Sequence, residues 1–375
     1  MTNTIFNVIF IYVKINKIEK GWLYMYTNVT FEEGKRIIVV SDIHGDLTTF
    51  KKLLNKCEYN ETEDYLIILG GFLEKGSEIL ATMKYMMEIS KNERVFILKG
   101  NNDRVIEGCS TEKGMKDCLG YISRMKNSIL LEKANELNIP LEREEDLKEV
   151  VASLQEEKEF IDNLPLVLVS DRLVFVHAGI KQLETETDQK YLLGAKLFAN
   201  ETHELDQYVV VGHYPVSNYC SKIFRLTPIF DMNKKIISIN GGNNMKSFGQ
   251  LNALIIENFS SGLTFTYRYA THFPQKLIKT TQQGNEEDSK IIVWPNYEVK
   301  KLNEGTDETL VLNKQSDYIK VKNSFLKHMN DKWSVIDDYT NYVHEIKKPV
   351  LADIVYEDET SYLAIVDGII GWIYK

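Results

Sequence analysis

Residues 36–46 read RIIVVSDIHGD, and the reading of this stretch decides the fold. After the arginine comes a short run of β-branched apolar side chains with no polar residue at alternate positions, the pattern of a strand covered on both faces. It stops at Ser41-Asp42-Ile43-His44-Gly45-Asp46. In doubly covered sheets the reactive groups stand in the crevice beyond the carboxyl ends of the strands, so this loop is where chemistry belongs.

Working outward, the same plan recurs. Residues 65–69 (YLIIL), 94–98 (RVFIL), 173–176 (LVFV), 208–211 (YVVV), 236–239 (IISI) and 251–256 (LNALII) read as further strands. Between the early ones, 47–57 and 77–91 carry apolar residues at helical spacing, which gives an α/β layout. The chain is 375 residues long, room for about two or three domains. With 43% hydrophobic and 26% charged residues it has a globular composition, which excludes wholesale disorder and fibrous character. Its 45 Lys and Arg against 54 Asp and Glu leave a net charge of -9, so neither nucleic acid nor an anionic membrane is the expected partner. Cys57, Cys109, Cys118 and Cys220 form no CxxC pair, and four free thiols in a reducing, cytoplasmic compartment are expected.

The loops after the other strands carry the remaining chemistry: 70–76 (GGFLEKG), 99–103 (KGNND), His177-Ala178-Gly179 and Gly212-His213-Tyr214-Pro215. Taken singly, a histidine beside a glycine is more often a turn or a satisfied core residue. Taken together, Asp42, His44, Asn101, His177 and His213 offer oxygen and imidazole donors that suit Mn, Fe or Zn better than Ca or Mg.

This order and spacing resemble the calcineurin-like metallophosphoesterases, in the branch that holds serine/threonine phosphatases and diadenosine tetraphosphatases. The family motifs D-x-H-G, G-D-x-x-D-R-G, G-N-H-E, H-A-G and G-H run here from about residue 36 to 256. Gly241-Gly242 followed by 249–254 (GQLNAL) resembles the tail of the bacterial members. The resemblance implies an α/β (α+β) sandwich of two packed mixed sheets flanked by helices. It implies one or two divalent transition ions, Mn foremost, the first on Asp42 and His44 and the second on Asn101, His177 and His213.

The departures fall on the catalytic positions. Where the family has the carboxylate that bridges both metals, this chain has Gly71. Asn102 replaces the general-acid histidine and is followed by Asp103; the acid's carboxylate partner is Glu74. Lys75 and Lys99 stand for two phosphate-gripping arginines, keeping charge but losing the two-pronged fork. Two dications a few ångströms apart repel by roughly 20 kcal/mol at an effective dielectric of about 20, and glycine offsets none of it. Asp46 or Glu74 could lean in instead. The Asn101 set is therefore expected to retain one metal more readily than the pair is retained.

Residues 1–30 are expected as an extension, with Met25 as an alternative initiator. Residues 4–13 (TIFNVIFIYV) are too short to span a bilayer and lack the flanks of a signal peptide, the first lysine being Lys14. Neither secretion nor stable membrane association is expected. A phosphoesterase domain follows over 31–280. Within it 110–165 read as a helical cap, in segments 116–136 and 141–164, with Tyr121 and Arg124 placed to enter the cleft. A polar linker at 281–290 precedes 291–375, which reads as a small all-β barrel whose last strands resemble bacterial SH3-like modules. Trp294, Trp333 and Trp372 are expected as core and rim aromatics of that barrel.

Two functions of different class follow from the resemblance. One is metal-dependent hydrolysis of a phosphate ester, of the phosphoprotein Ser/Thr or dinucleoside polyphosphate type, by metal-activated hydroxide with Lys75 and Lys99 on the phosphate. The other is an impaired relative that binds a phosphorylated ligand or protein partner through the same crevice. No P-loop, dinucleotide fingerprint or G-x-S-x-G elbow is present.

Overall fold

A computed structural model describes residues 26–109, 112–183 and 188–375, so the expectations for 4–13 and Met25 lie outside the described residues. The first strand, β1 (Tyr26–Asn28), falls inside the stretch expected as an extension. It is followed by β2 (Arg36–Val40), α1 (Leu47–Lys56), β3 (Tyr65–Ile68), α2 (Ile79–Ile89) and β4 (Val95–Ile97). The insertion holds α3 (Val105–Gly108), α4 (Glu112–Ile122), α5 (Ile129–Leu137), α6 (Glu144–Ala152) and α7 (Gln155–Asp162). Then come β5 (Val167–Val169), β6 (Leu173–Val176), α8 (Gln189–Gly194), β7 (Tyr208–Val211), β8 (Ile229–Asp231), β9 (Ile236–Ser238), β10 (Leu251–Phe259) and β11 (Gly262–Ala270).

These strands make two mixed sheets, ordered β11-β10-β2-β3-β4 and β1-β5-β6-β7-β9-β8. β2, β3 and β4 run parallel, while β10 returns antiparallel with Ala253 opposite Val40. Successive side chains of a strand point to opposite faces. Ile37 and Val39 therefore join Phe175, Val210, Ile237 and Leu254 between the two sheets. Ile38 and Val40 face the other way, onto Phe50, Leu53, Met83 and Met86 of α1 and α2. This double cover is the physical reason the strands show no polar alternation, and each fully buried aliphatic side chain contributes about 1.5–3 kcal/mol.

The insertion is helical, but its two expected segments are broken into shorter pieces. Ser128 caps α5, accepting from Leu130 N at 3.3 Å, and Asn138 closes it at φ 58°, ahead of Pro140. The thiol expectation is corrected as well: Cys109 and Cys118 are joined in a disulfide, their Cα atoms 6.1 Å apart, because α3 packs on α4. Cys57 and Cys220 are free.

Downstream the chain is all β: β12 (Gln275–Ile278), β13 (Ile291–Ile292), β14 (Glu298–Glu304), β15 (Glu308–Asn313), β16 (Tyr318–Lys322), β17 (Leu326–Met329), β18 (Lys332–Val335), β19 (Tyr339–Thr340), β20 (Val350–Glu357), β21 (Ser361–Val366) and β22 (Ile369–Tyr374). They form sheets β12-β20-β21-β22, β13-β19 and β16-β15-β14-β18-β17. β12, placed by the sequence in the upstream domain, pairs with β20. The polar stretch after it is laced to the same region, Gln282 N donating to Ile346 O at 2.9 Å and Ile346 N returning to Gln282 O at 2.8 Å. Phe224, Leu226 and Phe248 share one core with Val311, Val321, Leu363 and Trp372, so the upstream and downstream parts are packed together. Among the described residues no helix is long and apolar enough to cross a membrane.

Candidate active site

The loops after β2, β3, β4, β6 and β7 meet at one crevice. Asp42 N, His44 N and Gly45 N donate to the carbonyls of Gly70, Gly71 and Phe72 at 3.0, 2.9 and 2.9 Å, which zips the first loop to the second. Gly212 N donates to His177 O at 2.9 Å, joining two more. Asp42 Oδ2 accepts from Ser41 Oγ and, at 2.8 Å, from His213 N. Only glycine permits that approach, since a Cβ on Gly212 would stand 2.6 Å from Asp42 Oδ2.

Asp42, His44 and His213 all take left-handed φ values, 54°, 49° and 59°. For residues with a Cβ this costs about 1–2 kcal/mol each. Strain of this kind concentrates where geometry serves chemistry.

Each of two imidazoles is anchored at one nitrogen. His44 Nδ1 lies 3.1 Å from Leu73 O and His177 Nδ1 lies 2.9 Å from Leu69 O. A carbonyl only accepts, so both Nδ1 atoms carry a proton and both Nε2 atoms point into the crevice. His44 Nε2 is buried without a hydrogen-bond partner, Asp42 Oδ1 standing off at 3.5 Å. His177 Nε2 faces Asn101 Oδ1 at 2.9 Å, and the His213 ring lies 5.1 Å from that of His177.

The electrostatics suit this. Burial pushes the Asp42 carboxyl up, but its interactions with His44, His177 and Ser41 outweigh burial and hold it at about 2, so it is ionised. Burial, helped by the neighbouring His177, lowers His213 to about 4 and keeps its ring neutral and able to ligate. Asn101 and His177 thus stand face to face, with His213 beside them. Asp42 and His44 are two donors short of a third, because Gly71 stands where it would come from. Among the described residues no three His, Cys, Asp or Glu side chains form a group that could hold a metal ion.

The other expected site residues have their own engagements. Asp103 is fully buried and accepts from Gly71 N, Leu73 N and Gly100 N at 2.8, 3.0 and 2.7 Å. Glu74 is also buried and accepts from Tyr121 OH, Ser128 Oγ and Ile129 N at 3.0, 3.1 and 3.0 Å, so it ties the helical insertion to the crevice. Burial raises both carboxyls. Lys99 is engaged by Glu107 at 2.5 Å. Asp46 caps α1 through Thr49 N at 3.0 Å and is not free to bridge metals. Lys75 and Asn102 remain half-buried beside these groups.

Three asparagines that sequence reasoning missed brace the site. Asn240 Nδ2 donates to His213 O at 2.7 Å, Asn243 Nδ2 to Ile43 O at 3.0 Å and Asn244 Nδ2 to His44 O at 3.0 Å. The run Asn240-Gly241-Gly242-Asn243-Asn244 was the available signal, a turn rich in side-chain donors.

The sequence profile of the family "Calcineurin-like phosphoesterase" matches residues 35–252, more than half of the chain. A symmetrical bis(5'-nucleosyl)-tetraphosphatase from Buchnera aphidicola is 37% identical over 78 residues, 21% of this chain and 27% of that protein. Its counterpart from Nitrosospira multiformis is 30% identical over 78 residues, 20% and 28% of the two chains. The match therefore spans about a quarter of the length of these relatives. A solved structure provisionally assigned as a diadenosine tetraphosphatase superposes with a TM-score of 0.44 at 14% identity, covering 67% of this chain and 100% of the other. A serine/threonine phosphatase from Saccharomyces cerevisiae gives 0.41 at 12% identity, covering 67% and 84%.

Proposed function

This chain belongs to the calcineurin-like phosphoesterase family, and on that premise we propose that it hydrolyses a phosphoanhydride or activated phosphoester at the crevice of Asp42, Asn101, His177 and His213. The single observation that carries the reading is the convergence at one crevice of Asn101 Oδ1 and His177 Nε2, 2.9 Å apart, with the His213 ring beside them. Asn101, His177 and His213 would hold a divalent ion, with Mn the first candidate. Such an ion, when bound, supplies Lewis-acid polarisation of a phosphoryl oxygen and lowers the pKa of water.

The chain's own residues do the rest. Asp42 and His44 turn a carboxylate oxygen and an imidazole nitrogen toward the same crevice, where they orient water or bind a weaker second cation. Lys75, not Lys99, is the ammonium left for phosphate oxygens, because Glu107 holds Lys99. Glu74 and Asp103 act as positioning residues through the backbone and hydroxyl donors they accept from. Asn102 can donate a hydrogen bond but cannot release a proton, so leaving groups that need none are favoured. A polyphosphate or aryl leaving group meets that condition better than the alkoxide of a Ser or Thr ester.

A second reading rests on Gly71. If the crevice holds one ion or none, the same donors bind a phosphorylated ligand without turning it over. The C-terminal β region, which we read as SH3-like, would then serve a partner. Metal content by mass spectrometry, together with turnover of an aryl phosphate in Mn, separates the two. At least one bound ion and a rate abolished by His213→Ala support hydrolysis; bound ligand with no turnover at any metal concentration supports the second reading.

A further inference from the structure

Trp294 lies outside the residues the family profile covers, yet it stands at the edge of the crevice. Its ring centroid is 6.4 Å from that of Tyr214, the residue directly after His213. Although 43% exposed, Trp294 is anchored: its N–H donates to Asp338 Oδ1 at 2.9 Å, and Asp338 is buried against Lys246 at 2.8 Å. Tyr297 OH donates to the same Oδ1 at 2.9 Å. The backbone is thus fixed while the indole stays open, a preorganised aromatic surface at the mouth of a site for phosphate.

Lys196 adds charge at this place. Its Nζ lies 5.9 Å from the Trp294 ring centroid, and among the described residues no carboxylate pairs with it. In a chain of net charge -9 a cation with no acidic partner among the described residues is available to an anionic ligand. A flat aromatic body carrying a phosphate chain fits all three side chains at once.

We propose that Trp294, flanked by Tyr214 and Lys196, stacks the nucleobase of a nucleoside polyphosphate whose phosphate chain runs past Lys196 toward His213. The proposal deepens the hydrolytic reading above and rests on its placement of phosphate at His213. Stacking on an aromatic side chain is tolerant of base identity, so any nucleoside polyphosphate is admitted and inorganic polyphosphate gains nothing from it.

The full chain, with Mn, is titrated with adenosine triphosphate and separately with inorganic tripolyphosphate, following tryptophan fluorescence and, where turnover occurs, KM. Adenosine triphosphate is expected to quench the wild type, and Trp294→Ala to lose the quench and weaken its binding by about tenfold or more. Trp294→Phe should recover most of the affinity, and tripolyphosphate binding should change less than twofold in either variant. Lys196→Ala should weaken both probes. Equal losses for both probes in Trp294→Ala, or no loss for either, would overturn the platform, and a phosphopeptide that competes better than adenosine triphosphate would do the same. Because fluorescence reads binding without turnover, a quench that depends on Trp294 in a chain with no hydrolysis leaves the platform standing and removes the hydrolytic reading. Hydrolysis with no nucleobase preference does the reverse.

Discussion

Removing Asn101 tests the crevice at its smallest unit. Asn101→Ala takes away the side chain that faces His177 Nε2, and Mn affinity should fall by about 10- to 100-fold by calorimetry, a loss of the size seen when a metal site is disturbed. Gly71→Asp looks from the sequence like a repair of the missing bridge. The structure argues otherwise: at φ 69° a Cβ would lie 2.8 Å from Asp42 Oδ1, so the variant should lose stability in denaturant titration before it gains a metal. The convergence of Asp42, His44, Asn101, His177 and His213 was legible in the sequence because all five stand at or just beyond strand ends. The engagements of Lys99, Glu74 and Asp46 were not, because Glu107, Ser128 and Asn243 reach them only through tertiary folding.

Strands declare themselves more readily than helices in this chain. Runs such as YVVV at Tyr208–Val211 need both faces covered and can be little else, and each strand expected between residues 36 and 256 is present. The insertion was harder, since its charged and apolar residues fit helical spacing straight through Ser128, which caps a new helix, and through Ser153, where α6 ends. At this scale a pH dependence follows. His344 is packed under the β21–β22 hairpin with Nε2 3.1 Å from Ala364 O, and burial lowers it from 6.5 to about 4. Between those values the unfolded chain takes up a proton and the folded chain does not, so stability is complete above pH 6.5 and falls as pH drops toward 4. The His344 share of that loss should be about 2 kcal/mol between pH 7 and pH 5, read as the difference in slope between wild type and a His344→Gln variant in urea titrations, because His213, lowered to about 4 as well, adds its own share to both.

For the whole molecule, the weight falls on the junction between the upstream sandwich and the downstream sheets. The sequence marks residues 281–290 as a linker because they are polar, but polarity there reflects hydrogen bonding to Ile346 and its neighbours. The Lys246–Asp338 pair crosses the junction with side chains 7% and 0% exposed, and Asp338→Ala should cost about 3–5 kcal/mol by chemical denaturation, since it strands a buried ammonium. Replacing both partners, Lys246→Met with Asp338→Leu, should restore only part of that, because Trp294 N and Tyr297 OH still lose their acceptor on Asp338. A chain cut before β12 uncovers Phe224, Leu226 and Phe248 and should elute as aggregate in size-exclusion chromatography.

The pairing of β10 with β2 also sets a timetable for synthesis. β2 leaves the ribosome about 200 residues ahead of the strand that covers its edge, so for that interval a bare row of amides and carbonyls faces whatever surrounds the nascent chain. Contacts this distant in sequence make folding slow and leave early intermediates sticky. Yield from a recombinant host should therefore rise with slower translation or added chaperone more than with any change at the crevice.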